Sequence, residues 1–195
     1  MRYPMRTLLL FGIALCTLLP AVPAAACVPP GAIVFDQWYR PVTVMGQTVI
    51  GACPSGDWSA LDLQMWDMCG NPMAGFEVYL DFADARVCGS PITGFTDMYG
   101  YVRLPIKTGL NSSASTSRVT SDYSVIVRGV TVSVGTVSLV SADYNCNQSV
   151  DALDFSFFAL DWLPAAYAAR SDFNDDKVVD ALDFSIFALH WLHSN

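Results

Sequence analysis

Between residues 27 and 142 the apolar positions come in short alternating runs, the period of strands with one buried face. Candidate strands lie at 32–35, 42–50, 60–66, 76–82, 94–97, 101–107, 123–128 and 130–140. Turn chemistry separates them: Gly70-Asn71-Pro72, Met98-Tyr99-Gly100 and Asn111-Ser112-Ser113. Some eight short strands in roughly 115 residues predict a β-sandwich. Beyond residue 142 the period changes. V-D-A-L-D-F-S-F-F-A-L-D-W-L at 150–163 recurs as V-D-A-L-D-F-S-I-F-A-L-H-W-L at 179–192, identical at 12 of 14 positions and offset by 29. Such self-similarity marks an internal repeat.

Each repeat predicts a helix with two apolar faces. At 100° per residue, Leu153, Phe157 and Leu160 share one face, and Phe155, Phe158 and Trp162 share the opposite one. The second copy sets Leu182, Ile186 and Leu189 against Phe184, Phe187 and Trp191. A surface helix needs one apolar face. Two opposite faces imply two burials, one against the sister helix and one against something else.

The first residues have a different pattern. Arg2 and Arg6 precede an apolar stretch at 7–19, then Pro20, Pro23 and Ala24-Ala25-Ala26. This is the pattern of a secretory signal peptide over 1–26, and it predicts export. The stretch is short for a membrane span, so no transmembrane segment is expected in the mature chain. Cys27 follows the alanines, which makes a lipid anchor the less favoured alternative, since Ala24 stands where a larger aliphatic residue is usual. Export permits disulfides. Cys27, Cys53, Cys69, Cys88 and Cys146 remain after processing. The number is odd, so at least one is free, lipidated or paired elsewhere. One or two bridges are expected among Cys53, Cys69 and Cys88.

Charge sharpens the division. Of the formal net −8, residues 143–195 carry −7, with nine aspartates against Arg170 and Lys177. An acidic chain does not neutralise phosphates, so nucleic acid is excluded as a partner. The two histidines, His190 and His193, sit near the C-terminus, and Glu77 is the single glutamate. This leaves no histidine in the body of the chain for a triad or a zinc site. No catalytic residues are assigned. The acids of the sandwich region read as turn residues (Asp67, Asp97) or solvent-facing strand residues.

The spacing of the acidic repeat is that of a calcium loop. Calcium takes six to eight oxygens from a flexible twelve-residue loop. Positions 1, 3, 5, 7, 9 and 12 hold Asp143, Asn145, Asn147, Ser149 (backbone carbonyl), Asp151 and Asp154 in the first copy. They hold Asp172, Asn174, Asp176, Val178 (carbonyl), Asp180 and Asp183 in the second. Two ions are implied. Site one offers three carboxylates and site two offers four, so site two is expected to bind more tightly. Val150 and Val179, at position 8, are expected to pair in a short β-bridge. Position 6, usually glycine, holds Gln148 and Lys177, at a cost of roughly 1 kcal/mol in a left-handed turn.

A pair of loop-then-helix units over about 141–195 resembles a dockerin domain. The resemblance implies a module that binds a cohesin domain on another protein, often in extracellular polysaccharide breakdown. In dockerins recognition falls at loop positions 10 and 11 and further along the helix. Those positions are Ala152, Leu153, Ala181 and Leu182, with Phe157, Leu160, Ile186 and Leu189 beyond them. The near-identical copies would let either present the same face. The stretch at 61–80, with its D-x-x-G-N-P turn, and that at 94–104, with T-D-x-x-G, resemble bacterial Ig-like or carboxypeptidase-regulatory-like sandwiches.

The expected fold class is α+β in two parts: an all-β Ig-like sandwich at 27–140, then a small α-helical calcium-binding module at 141–195. Two competing readings remain. One is a carbohydrate-binding sandwich tethered by the module, which exposure of Trp38, Trp58 and Trp66 would favour. The other is a self-contained surface protein with structural calcium, which coverage of both helix faces by the chain itself would favour.

Overall fold

The computed structural model describes residues 30–39, 42–44, 47–162 and 167–195, with only the backbone of residues before Val49. The expected signal peptide, Cys27 and the side chain of Trp38 lie outside the described residues. The chain is predominantly β, with two short helices.

Eleven strands are described: β1 (Pro30–Tyr39), β2 (Val42–Val44), β3 (Gln47–Ala52), β4 (Ala60–Asp67), β5 (Glu77–Phe82), β6 (Val87–Cys88), β7 (Ile92–Phe95), β8 (Tyr101–Pro105), β9 (Gly109–Leu110), β10 (Val119–Val127) and β11 (Val130–Ser141). Two helices follow, α1 (Ala152–Trp162) and α2 (Ala181–Leu189). One sheet has the order β1-β4-β8, another β2-β3-β11-β10-β5-β7, and β6 pairs β9 alone. Every pairing is antiparallel except β3 with β11.

Alternation decides which side chains point inward. On β4, Leu61, Leu63 and Met65 are fully buried, while Asp62, Gln64 and Trp66 are not. Their partners on β8 are Val102 and Leu104, and the facing sheet supplies Val78, Leu80, Val125, Val127, Val137 and Leu139. The first core thus lies between the two larger sheets. The two aspartate turns close the strand ends by one device. Asp67 Oδ1 accepts from the N–H groups of Cys69 and Asn71, and Asp97 Oδ1 from those of Tyr99 and Tyr101. Gly100, at φ +79°, lies so close to the Met65 carbonyl that no side chain fits there.

Three expectations change. The strand expected at 42–50 is a hairpin, β2 folding back on β3 with Val44 opposite Gln47. Cys88 pairs with Cys146, 58 residues on, and not within the strand-rich stretch. Cys69 is also disulfide-bonded, and Cys53 is free and buried. Val150 pairs with the C-terminal segment instead of Val179. Its N–H donates to the His193 carbonyl and its carbonyl accepts from Leu192. The chain reverses after α2, with Leu192 at φ +64°, and Ser194 bridges to Ser149.

A second core joins the acidic repeat to the sandwich. Tyr144, Val150, Phe158, Phe173 and Phe187 from the repeat pack with Val49, Cys53, Trp58 and Val140 from the strands and their loop.

Candidate functional site

The twin loops take the same backbone path, and their own side chains build it. In loop one, Asp143 accepts from the N–H groups of Asn147 and Gln148, Asn145 from Asn147, and Asn147 from Ser149. In loop two, Asp172 accepts from Asp176 and Lys177, Asn174 from Asp176, and Asp176 from Val178. Each is a chain of Asx turns in which a short polar side chain folds the backbone beneath it. Positions 4 and 6 are left-handed in both copies: Cys146 at +62° and Gln148 at +65°, Asp175 at +59° and Lys177 at +72°. Position 6 therefore adopts the backbone that glycine prefers, without glycine.

Positions 9 and 12 start the helices. Asp180 caps α2 by accepting from Leu182 N–H, and Asp183 reaches back to the N–H of Asp180. Asp151 and Asp154 make the same two bonds ahead of α1. This is a capping box with aspartate at its third helical position. The remaining oxygen of each position-12 aspartate accepts from the N–H at loop position 2, 2.8 Å from Tyr144 and 2.7 Å from Phe173. One carboxylate thus ties the loop entrance to the helix start.

Asp143, Asp154, Asp172 and Asp183 are fully buried. Among the described residues no cationic side chain pairs with Asp143, Asp154 or Asp183, whereas Arg118 lies 3.5 Å from Asp172. Burial pushes the Asp154 carboxyl up to about 6, opposed by the Asp151 and Tyr144 N–H groups. Burial also raises Asp143 and Asp183. Buried carboxylates that resist ionisation for want of positive charge suit a hard cation among oxygen donors.

The helix faces separate as their pattern suggests. Phe158 stacks on Phe187 at 5.3 Å, and Phe155 and Trp162 meet Phe184. That face holds the two helices together. On the other face Phe157 and Ile186 lean on the second core. Leu153, Leu160, Leu182 and Leu189 are each more than half exposed, and Ala152 and Ala181 are exposed beside them.

Beside the backbone bonds from Leu110, Ser112 and Ser113 to the carbonyls of Asp143 and Tyr144, side-chain ties hold the repeat to the sandwich. The Cys88–Cys146 bridge grips loop one at position 4. Arg118, just before β10, grips loop two at the same position, 2.6 Å from Asp175, and donates to the Asp172 carbonyl. Arg170 forms a buried fork with Asp161 at 2.6 and 2.9 Å and donates to the carbonyls of Ser112 and Ser113. The sequence offered no signal for the arginine ties, because the partners lie far apart along the chain.

The aromatic residues that could stack on a sugar ring divide. Trp58 is buried against Phe173, Trp66 is half-buried, and Tyr99 and Tyr101 are exposed. Among the described residues no helix is long and apolar enough to cross a membrane.

No family model matches the chain, and no curated protein does. Solved structures of intimin are among those that overlap parts of it. One is the C-terminal 282-residue fragment of intimin, in complex with the intimin-binding domain of the translocated intimin receptor: 18% identity, 56% of this chain and 33% of that one, TM-score 0.31. Another is the D0–D1 domain of intimin: 23% identity, 46% and 43% coverage, TM-score 0.29. The chain spans less than half of either. Overlap at this level assigns neither family nor function.

Proposed function

We propose that this chain is an exported, non-catalytic interaction protein whose acidic repeat binds two calcium ions and docks the sandwich onto a cohesin-type domain. Asp143, Asn145, Asn147, Ser149, Asp151 and Asp154 would hold one ion, and Asp172, Asn174, Asp176, Val178, Asp180 and Asp183 the other. Calcium would supply the positive charge that Asp143, Asp154 and Asp183 lack, so binding would be coupled to the stability of the repeat. The observation that carries the reading is the sameness of the loops: equivalent side chains accept from equivalent N–H groups, and positions 4 and 6 are left-handed in both.

Docking draws its support from the four exposed leucines. Leu153 and Leu160 on α1 match Leu182 and Leu189 on α2, so each copy offers the same apolar stripe. An extracellular assembly that processes polysaccharide is the setting the dockerin resemblance suggests. The second core favours a competing reading, in which calcium only fastens the repeat to its own sandwich. Burial of Trp58 removes one of the aromatics on which a sugar-binding reading rests.

Binding of the full mature chain to a panel of cohesin domains, in calcium and after chelation, separates these readings. Calcium-dependent capture should survive Leu153→Asp or Leu182→Asp alone and vanish when both are changed. Calcium binding with no cohesin capture would leave the structural reading in place of docking.

A further inference from the structure

We propose that Cys53, Asp57, His190 and His193 form a zinc site that clamps the end of the second repeat to the loop between β3 and β4. Their ligand atoms all lie within 4.8 Å of one another. Asp57 approaches the Nδ1 atoms of His190 and His193 at 3.4 and 3.3 Å, and Cys53 Sγ lies 3.7 Å from His193 Nδ1. Zinc bonds of about 2.0–2.3 Å in a tetrahedron set neighbouring ligand atoms roughly 3.3–3.8 Å apart. Those three separations match a four-ligand tetrahedral site, and the widest of the group, within 4.8 Å, would contract on binding.

The surroundings point the same way. His190 is 7% exposed, and its Nδ1 has no hydrogen-bond partner. Its ring is fixed by stacking on Trp58 at 4.4 Å, which aims that nitrogen at Asp57. Cys53 stays a free, buried thiol in a chain whose Cys69, Cys88 and Cys146 are bridged. A hydrolytic triad does not explain the group. A triad needs nucleophile and carboxylate on opposite ring nitrogens, yet Cys53 and Asp57 converge on the same Nδ1 of His193. A thiolate, two imidazoles and one carboxylate suit zinc and not calcium, which takes oxygen.

The repeat itself marks the position. His190 is one of the two places where the matched fourteen-residue stretches differ, and its counterpart is Asp161, which pairs with Arg170. The sequence placed both histidines away from the body of the chain, but folding brings them to Cys53 and Asp57 across about 140 residues. Metal binding here would displace the thiol proton and fix His193, whose carbonyl accepts from Val150 of loop one. The proposal does not depend on the calcium reading.

The test is a zinc titration of the full mature chain in excess calcium, with cobalt as the spectroscopic probe. One zinc per chain is expected, and cobalt should give a tetrahedral spectrum with a thiolate charge-transfer band. Cys53→Ser should abolish that band. Cys53→Ser and His193→Ala should each weaken zinc by more than the 10–100-fold typical of losing an outer hydrogen-bond partner. His193 is about a third exposed, so its variant reads the site even where Cys53→Ser fails to fold. Absence of zinc binding, or binding that survives both substitutions, would overturn the proposal.

Discussion

The two loops share a backbone but not an anchor. At position 4, φ is +62° in loop one and +59° in loop two. In loop one that residue is Cys146, bonded covalently to Cys88; in loop two it is Asp175, held by Arg118 and Lys177. The side chains at positions 1, 3 and 5 fold the loop by accepting from its own N–H groups, so they repeat in kind. Position 4 meets the sandwich in both copies, Cys146 through Cys88 and Asp175 through Arg118, so it differs with its partner. Position 5 differs as well, Asn147 against Asp176.

The largest expected effect comes from cutting the covalent anchor. Closing a loop of 58 residues contributes about 4 kcal/mol in the chain-entropy account. Cys88→Ser with Cys146→Ser should lower the stability of the calcium-loaded chain by about that much in denaturant melts. A loss confined to a few tenths would mean that loop one needs no anchor.

Cutting the ionic anchor should cost somewhat less. Arg118→Ala leaves Asp175 buried with Lys177 as its remaining partner and strips Asp172 of its nearby cation. A loss of about 3 kcal/mol is expected for breaking a buried pair. The same variant should tighten calcium at site two, because a competing positive charge is gone. Stability and affinity moving in the same direction would refute the role given to Arg118.

Acidity tests the burial that the loops share. Asp154 titrates at about 6 in the fold, above the usual ~3.9. The fold thus favours its protonated form, a stabilisation that is full below about pH 4 and lost as pH rises through 6. The calcium-free chain should gain on the order of 2 kcal/mol from this group between pH 7 and pH 4. Asp154→Asn should flatten that rise in melts of the chelated protein. Asp67, held low mainly by the Asn71 N–H, acts in the opposite sense and serves as the control.

The smallest change sharpens the comparison of ligands. Asn147→Asp gives loop one the carboxylate of Asp176 and should raise its calcium affinity about tenfold, towards that of site two. Calorimetry should then fit two nearly equal sites. If the sites stay as unequal as before, anchors and not carboxylate number set the difference.

Much of this was legible from the sequence. Strands β5 and β8 alternate strictly and β4 does so from Leu61 to Met65, and the two loops announce themselves by spacing. The start of β10 did not, because Ser121 faces inward and satisfies its hydroxyl on the Asp84 N–H and the Asp122 carbonyl. Strands β6 and β9 have two residues each, too few to show a period. The bridge to Cys146, the arginine ties and the Cys53–His193 contact join residues far apart along the chain. Local pattern is silent on such pairs. Only the packing of the repeat against the sandwich selects them.

The most direct test of the twin-loop account is a calcium titration of the full chain, with Asp154→Asn and Asp183→Asn beside it. Two ions per chain, falling to one in each variant, is the predicted result. No uptake at millimolar calcium, or a stoichiometry that neither substitution changes, would contradict it.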